Sequence, residues 1–217
     1  MSRTSGSNKT ARRVVVAAIP AAVPVGMLGV FAALRRRFPR RTTYNVGFAV
    51  YWAGWCGLVP LCVLGPRTAA RLLTGGRRPS AAEATLLALP VAGALGTQLI
   101  PHRHDVDSAT AAVMAASATV NAVGEELLWR GLFMAEPLGR SRLATLWSLL
   151  GFSVWHLAPQ LVWPSPIGRW PFVAGAALVG TASTVVAWRS GGLRYVVVAH
   201  LLTDVCGVTA ARFRLGR

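Results

Sequence analysis

Three ionisable side chains occur at helical spacing inside an apolar run near the middle of the chain. The stretch VGEELLWRGLF, residues 123–133, carries Glu125, Glu126 and Arg130. Side chains four residues apart share one face of a helix, so Glu126 and Arg130 can form an ion pair. Glu125 points about 100° away and has no partner on the same helix. Such costly charges indicate either a functional site or an ion-pair network that fixes helix register.

Two of the four histidines lie in later apolar runs, each with a neighbour one helical turn away. In FSVWH, Phe152 and His156 are four residues apart, and in HLLTD, His200 and Asp204 are four apart. The second pair allows a carboxylate to accept a hydrogen bond from an imidazole N–H and so to fix its tautomer. A single histidine in a helix is usually an ordinary core residue. Two of them in separate apolar helices favour a common site.

The composition around these residues is that of a membrane protein. The chain has 217 residues, of which 53% are hydrophobic and 14% charged, with a mean hydropathy of +0.48. Soluble domains are about one quarter charged. The net charge of +16 comes from arginine clusters between apolar runs, which favours contact with anionic lipid headgroups and argues against nucleic acid as a partner. The strong preference for arginine over lysine is typical of a bacterial protein from a GC-rich genome.

The apolar runs predict an all-α, polytopic transmembrane bundle of about seven spanning helices. Their expected positions are 14–34, 44–64, 82–100, 109–134, 143–161, 171–188 and 193–211. Residues 1–13 are predicted to form a basic, disordered cytoplasmic tail, and 212–217 a basic C-terminal tail. A short helix at 67–73 could lie in the membrane interface. The fourth run is rich in Ala, Ser and Thr, which predicts a position at the centre of the bundle.

The depths of the ionisable groups are compatible with one site. Counted from the boundaries that these runs share, Glu125 lies ~18 Å deep, His156 ~22 Å and His200 ~14 Å. The loops used for this count, 136–142 and 189–192, lie on the side where the chain starts. We therefore expect the mouth of the site on that side.

Together the three motifs identify a family. EELLWR, FSVWH and HLLTD match in order the EExxxR, FxxxH and HxxxN/D motifs of the CPBP family of intramembrane proteases. That family is related to the CAAX prenyl endopeptidase and includes bacteriocin-processing and self-immunity (Abi-like) proteins. The resemblance covers residues 109–211, which would be the catalytic core, and leaves 14–108 as N-terminal transmembrane helices.

The resemblance implies a glutamate-dependent peptidase. Glu125 would be the general base, His156 and His200 would hold the water or the oxyanion, and Asp204 would orient His200. Glu126, Arg130 and Phe152 would support the pocket. The substrate would be a membrane-associated or lipid-modified peptide, and the protein would lie in the cell membrane as a multi-pass protein. Basic residues are nearly balanced between the two sides, so the expectation of a cytoplasmic mouth comes from the resemblance.

Two alternatives remain open at this stage. The first is a Zn²⁺ site formed by Glu125, His156, His200 and Asp204, although no HExxH motif is present and the family suggests that no metal cofactor is needed. The second is a non-catalytic immunity or peptide-binding scaffold protein. Another group of possible ligands (His102, His104, Asp105 and Asp107) precedes the fourth run, where a solvated turn with Asp107 or Ser108 as helix cap is expected.

Overall fold

The described part of the protein is helical throughout. The computed structural model describes residues 3–136, 141–165 and 167–207, and no strand occurs in these ranges. This confirms the all-α fold. The predicted C-terminal tail at 212–217 and the end of the predicted run at 193–211 lie outside the described residues.

Eight helices order this part of the chain. They are α1 (Arg3–Arg35), α2 (Arg40–Leu64), α3 (Pro66–Thr74), α4 (Ala81–His102), α5 (108–135), α6 (Arg142–Trp155), α7 (Arg169–Ser190) and α8 (Arg194–Cys206). Their starts follow local chemistry. Ser80 and Glu83 form a capping box before α4, and the Asp107 side chain accepts a hydrogen bond from the Thr110 amide at 2.7 Å at the start of α5. Asp107 is thus the helix cap that the sequence left open between two residues.

Among the described residues, four helices are long and apolar enough to cross a bilayer. They are Thr10–Arg35 within α1, Arg40–Leu64, Ala81–His102 and Arg169–Ser190. These correspond to four of the predicted spans. The short helix expected at 67–73 is also present, as α3.

The predicted count of seven spans is not confirmed. Helices α6 and α8 contain 14 and 13 residues, whereas crossing the hydrocarbon core takes about 20. Helix α5 is long enough, but its Ser, Thr, Asn and charged residues keep it from the set of apolar spans. These three helices carry the motif residues. Apolar content alone therefore does not establish a span here: α6 and α8 carry exposed apolar side chains such as Leu146 and Val198, but each helix is shorter than a bilayer crossing requires.

The disorder expected for the N-terminal tail is also corrected. Helix α1 begins at Arg3 and runs without interruption through the basic segment into the apolar one. The reason is that no helix-breaking residue separates the two segments, so a helix already formed in the apolar segment can extend by one hydrogen bond per residue.

Contacts between loops define the two sides of the bundle. The Leu193 amide donates to the Leu72 carbonyl at 2.7 Å, and the Arg77 amide donates to the Ser190 carbonyl at 2.9 Å. The loops at 65–80 and 190–193 therefore share the side on which α1 starts, here called the N-terminal side. Arg35, at the end of α1, donates to the Leu161 carbonyl at 2.6 Å. The loops at 36–39 and 156–168 therefore share the opposite side.

Helix α5 occupies the centre of the bundle, as predicted. Every residue from Gly124 to Phe133 is buried, and apolar clusters pack on two sides of this segment. A Cβ atom on Gly124 would come within 2.6 Å of the Cβ atom of Cys56, so only glycine allows α2 to approach so closely. Wider π-helical turns occur at Tyr51–Leu58 in α2 and at Leu127–Gly131 in α5. Such turns are frequent at functional sites.

Candidate active site

Glu125 is held in place by two aromatic donors from other helices. Its Oε1 atom accepts hydrogen bonds from the Tyr51 hydroxyl of α2 and from the Trp155 indole of α6, both at 2.8 Å. The two rings stack with their centroids 3.7 Å apart. The Trp129 indole donates to the Tyr51 hydroxyl at 3.0 Å, which directs the hydroxyl hydrogen toward Glu125. One carboxylate oxygen is thus fully engaged in positioning.

The other oxygen of Glu125 has no hydrogen-bond partner. Glu125 is only 1% exposed, and its Oε2 atom lies 3.6 Å from His200 Nε2, beyond hydrogen-bond distance. A buried carboxylate oxygen without a partner is costly and needs an explanation. A polar molecule bound beside it, such as a water, would satisfy this oxygen.

Glu126, the next residue, is paired as the sequence predicted. Its Oε1 atom lies 3.2 Å from Arg130 Nη1 and 2.7 Å from His200 Nδ1. Arg130 also donates to the Gly180 carbonyl at 3.1 Å and lies 4.3 Å from the centroid of the Phe152 ring. A Cβ atom on Gly180 would come within 2.8 Å of that ring, so the glycine permits this contact.

His200 lies between the two glutamates. Its Nδ1 atom faces Glu126, and its Nε2 atom faces Glu125 Oε2 at 3.6 Å and Asp204 Oδ1 at 3.7 Å. Since carboxylate oxygens face both ring nitrogens, the arrangement suits an imidazole that carries a hydrogen on each nitrogen.

The predicted role of Asp204 as the orienting partner of His200 is corrected by this geometry. No hydrogen bond joins the two residues, and the contact that orients the ring is made by Glu126. Asp204 instead accepts from the Asn121 amide at 2.9 Å, and the Asn121 carbonyl oxygen accepts from the Trp52 indole at 2.9 Å. Spacing on one helix could not reveal this, because Glu126, on another helix, makes the shorter contact with the imidazole.

His156 and Phe152 lie on one face of α6, as expected from their spacing. Their rings are 4.8 Å apart at an angle of 73°. His156 Nδ1 lies 2.7 Å from the Phe152 carbonyl oxygen. Because a carbonyl oxygen can only accept, this nitrogen carries the hydrogen, and Nε2 of a neutral ring is an acceptor.

A cavity of about 90 Å³ adjoins these groups. Its described wall is formed by Tyr44, Phe48, Trp52, Ser117, Ala118, Asn121, Glu125, Trp155, His156, Pro159, Gln160, Phe172 and Asp204. Glu125, His156 and Asp204 therefore line one space, and His200 Nε2, although His200 is not part of the wall, lies 3.6 Å from Glu125 Oε2 and 3.7 Å from Asp204 Oδ1. Glu126, Arg130 and Phe152 do not line it.

The cavity extends toward the side opposite to the predicted mouth. Ser117 and Asn121 lie between Glu125 and the start of α5, and Tyr44, Gln160 and Phe172 lie near the loops of the opposite side. The depth argument placed the groups at one level but could not show where packing leaves space. A mouth that faces the cytoplasm stays a prediction.

The described donor atoms are not grouped as metal ligands. Within the described ranges, no group of three or more His, Cys, Asp or Glu side chains is arranged to hold a metal ion. This also applies to the described members of the group before α5, where Asp107 caps the helix and His102 Nδ1 contacts the Gln98 carbonyl at 2.8 Å. We derive no step through a metal, and independence from metal stays a prediction.

Sequence reasoning missed the residues that hold the carboxylates: Tyr51, Trp52, Trp129 and Trp155. Their signal was weak, because aromatic residues are common in apolar helices. One usable clue was depth. Tyr51 and Trp52 lie near the middle of a predicted span, whereas Tyr and Trp in membrane helices concentrate near the ends. A mid-span Tyr or Trp needs a polar partner for its O–H or N–H.

One family model matches the part of the chain that carries the motif residues. Residues 107–206 match the family model described as type II CAAX prenyl endopeptidase Rce1-like. The matched segment begins at the cap of α5 and ends with α8, so it contains all three motifs. No curated protein and no solved structure gave a significant match.

The family match supports a protease, and the structure places a buried glutamate at the centre of a helical bundle. The matched segment, slightly less than half of the chain, resembles the CPBP family of intramembrane proteases. Tyr51 and Trp52 lie outside that segment. The N-terminal helices therefore contribute directly to the site that the family motifs form.

Proposed function

We propose that this protein is an intramembrane endopeptidase in which Glu125 activates a water molecule for hydrolysis of a peptide bond. One observation carries the proposal: Glu125 lines the cavity with Oε1 fixed by two donors and Oε2 without a hydrogen-bond partner, whereas Glu126, whose Oε2 is also unpartnered, does not line it. A carboxylate held in this way presents one oxygen as a proton acceptor at the edge of a cavity. That is the arrangement required of a general base.

The reaction begins with a water between Glu125 Oε2 and the substrate carbonyl. The water oxygen forms a bond to the carbonyl carbon and gives a proton to Oε2. The neutral Nε2 of His156 can accept the second hydrogen of the same water, which fixes the direction of its lone pair. This assigns His156 to holding the water. A role for His156 in stabilising the oxyanion would need a second proton on the ring.

His200 provides the positive counterpart. With a hydrogen on each nitrogen, it donates through Nδ1 to Glu126 and can donate through Nε2 to the developing oxyanion. Glu126 and Arg130 act as positioning residues, because they hold this ring without lining the cavity. When the C–N bond breaks, the leaving amine takes the proton from Glu125, which restores the carboxylate.

The substrate is expected to be a membrane-associated or lipid-modified peptide that reaches the cavity from within or beside the bilayer. Five of the thirteen described wall residues are Phe, Trp or Tyr, and the helices around the cavity present apolar outer faces. Whether the peptide carries a prenyl group is a separate question, because the cavity itself needs only a peptide bond and its neighbouring side chains.

The test is a comparison of released peptides from membranes that contain the wild-type protein or Glu125→Gln. The matched control is Glu136→Gln, which removes a carboxylate from the end of α5, about 16 Å along the helix from Glu125. We expect peptides that appear with the wild type and the control and are absent with Glu125→Gln. The same set of peptides in all three would support a non-catalytic scaffold or immunity protein instead.

A further inference from the structure

Two carboxyl groups line the cavity, and its described wall contains no basic side chain that could pair with them. Glu125 and Asp204 line it, and no Lys or Arg occurs among the described residues of the wall. This is unusual for a chain with 23 Lys and Arg residues against 7 Asp and Glu. Chance would place a basic residue here sooner than an acidic one.

The nearby cations do not compensate for both carboxylates. Arg130 is engaged by Glu126 at 3.2 Å and lies outside the cavity. His200 contacts Glu126 at 2.7 Å and is shared between Glu125 and Asp204 at 3.6 and 3.7 Å. One imidazolium can balance one of these two carboxylates. The other has no cation within the described part of the chain.

The carboxylate oxygens at the cavity have unused capacity to accept hydrogen bonds. Glu125 Oε2 has no partner although Glu125 is 1% exposed. Asp204 uses Oδ2 for the Asn121 amide, while its Oδ1 has only the distant His200 nitrogen. The side chain of Asp204 is 24% exposed, which opens it to the cavity.

Aromatic rings also line the cavity. Along α2, the ring centroids of Tyr44 and Phe48 are 4.8 Å apart, and those of Phe48 and Trp52 are 5.4 Å apart. Phe172 of α7 lies 5.8 Å from His156. Aromatic faces attract cations, and cages of such rings with a carboxylate bind ammonium and guanidinium groups.

From these observations we infer that the cavity binds a cationic side chain of the substrate, an arginine or lysine next to the bond that is cut, with Asp204 as its counter-ion. This inference rests on the proposed function for its identification of the substrate as a peptide. A volume of about 90 Å³ leaves room for a guanidinium or ammonium head between the rings and the carboxylates. Asp204 would thus determine specificity.

The experiment measures binding, so that it does not depend on turnover. The full chain in detergent micelles is dialysed to equilibrium against labelled Ala-Arg-Ala or Ala-citrulline-Ala, both N-acetylated and C-amidated. Citrulline has the shape of arginine without its charge. We expect the arginine peptide to bind at least about tenfold more tightly, since a tenfold ratio needs only one additional favourable interaction of ordinary strength.

Two variants locate the effect. Asp204→Asn should reduce the preference for arginine to about threefold or less, because it removes the charge and keeps the shape. Glu136→Gln should keep the wild-type preference. Equal binding of the two peptides to the wild type overturns the inference, as does the absence of saturable binding of the arginine peptide up to about 10 mM. An unchanged preference in Asp204→Asn overturns the role of Asp204.

The same peptides separate this inference from the proposed function. Preferential binding of the arginine peptide, with no peptide released by the wild type in the membrane assay, would support a cation site and reject proteolysis. Release of peptides that depends on Glu125, together with equal binding of arginine and citrulline peptides, would support proteolysis and reject the cation site.

Discussion

The two adjacent glutamates of α5 lie in different surroundings on either side of His200. Around Glu126, on the N-terminal side, Arg130 and His200 hold one carboxylate oxygen, and Arg130 contacts a backbone carbonyl and an aromatic face. Around Glu125, toward the opposite side, two donors hold one oxygen. The second oxygen of each glutamate has no hydrogen-bond partner, but of the two only Glu125 lines the cavity. Glu126 therefore positions His200, whereas Glu125 presents its unpaired oxygen where a substrate can bind.

Glu125→Gln should give the largest change in activity. Removal of a general base costs about 10²- to 10⁴-fold in rate, so we expect cleavage to fall by about 10³-fold. The protein should still fold, because the amide oxygen can accept from Tyr51 and Trp155 and a buried charge is removed. Initial rates of peptide release and thermal unfolding in detergent, measured beside Glu136→Gln, test both statements. Cleavage within a few-fold of wild type would reject Glu125 as the base.

Arg130→Met should give the largest loss of stability, because it removes the ion pair with Glu126 and the hydrogen bond to the Gly180 carbonyl. Leaving a buried partner without its counter-charge typically costs about 3–5 kcal/mol in free energy of unfolding. Adding Glu126→Gln should recover part of this loss, since the uncompensated carboxylate becomes neutral and still offers an acceptor to His200. Denaturant unfolding in detergent measures all three proteins. If Arg130→Met alone were as stable as the wild type, the contacts of Arg130 would contribute little to stability.

Tyr51→Phe tests whether the donors to Glu125 position the base. We expect kcat to fall about tenfold with little change in KM, because one of two hydrogen bonds to Oε1 is lost and the substrate is not touched. The Trp129 indole also loses its acceptor, so a loss of about 1 kcal/mol in stability is expected. Tyr195→Phe, a change of the same kind on α8 away from the cavity, is the control. An increase in KM with kcat unchanged would indicate a role in substrate binding.

Asp204→Asn should have a smaller effect on a neutral peptide. Since Glu126 orients His200, the amide needs only to keep the hydrogen bond from Asn121, which its carbonyl oxygen can accept. We expect a reduction of a few-fold, compared with a clearly larger one in Asp204→Ala, where Asn121 loses its acceptor. Equal and nearly complete loss in both variants would assign Asp204 an essential charge in the reaction itself.

Removal of metal ions should have the smallest effect. The proposed base is a carboxylate, and the described side chains do not converge on a metal position. Treatment with EDTA or 1,10-phenanthroline should therefore leave the rate of cleavage unchanged. Loss of activity with recovery on adding Zn²⁺ would move the protein to the metallopeptidases.

Sequence reasoning succeeded where the information is local. The all-α fold, the Glu126–Arg130 pair and the Phe152–His156 face follow from helical spacing, and the order of three motifs identified the family. It failed where the outcome depends on packing. Packing between helices determines which residue contacts His200, which residues donate to Glu125, and on which side the cavity lies. Hydropathy likewise could not show that α6 and α8 are shorter than a bilayer crossing requires.

The origin of Tyr51 has a consequence for how the protein can be divided. The segment that matches the family starts at residue 107, yet a donor to its central carboxylate comes from α2. A fragment confined to the matched segment would therefore contain every motif and still have an incompletely assembled centre. Grafting the motif helices onto another bundle should fail for the same reason unless α2 is transferred with them. The smallest part of this protein that could be transferred with a complete site therefore includes α2, which lies outside the segment that matches the family model.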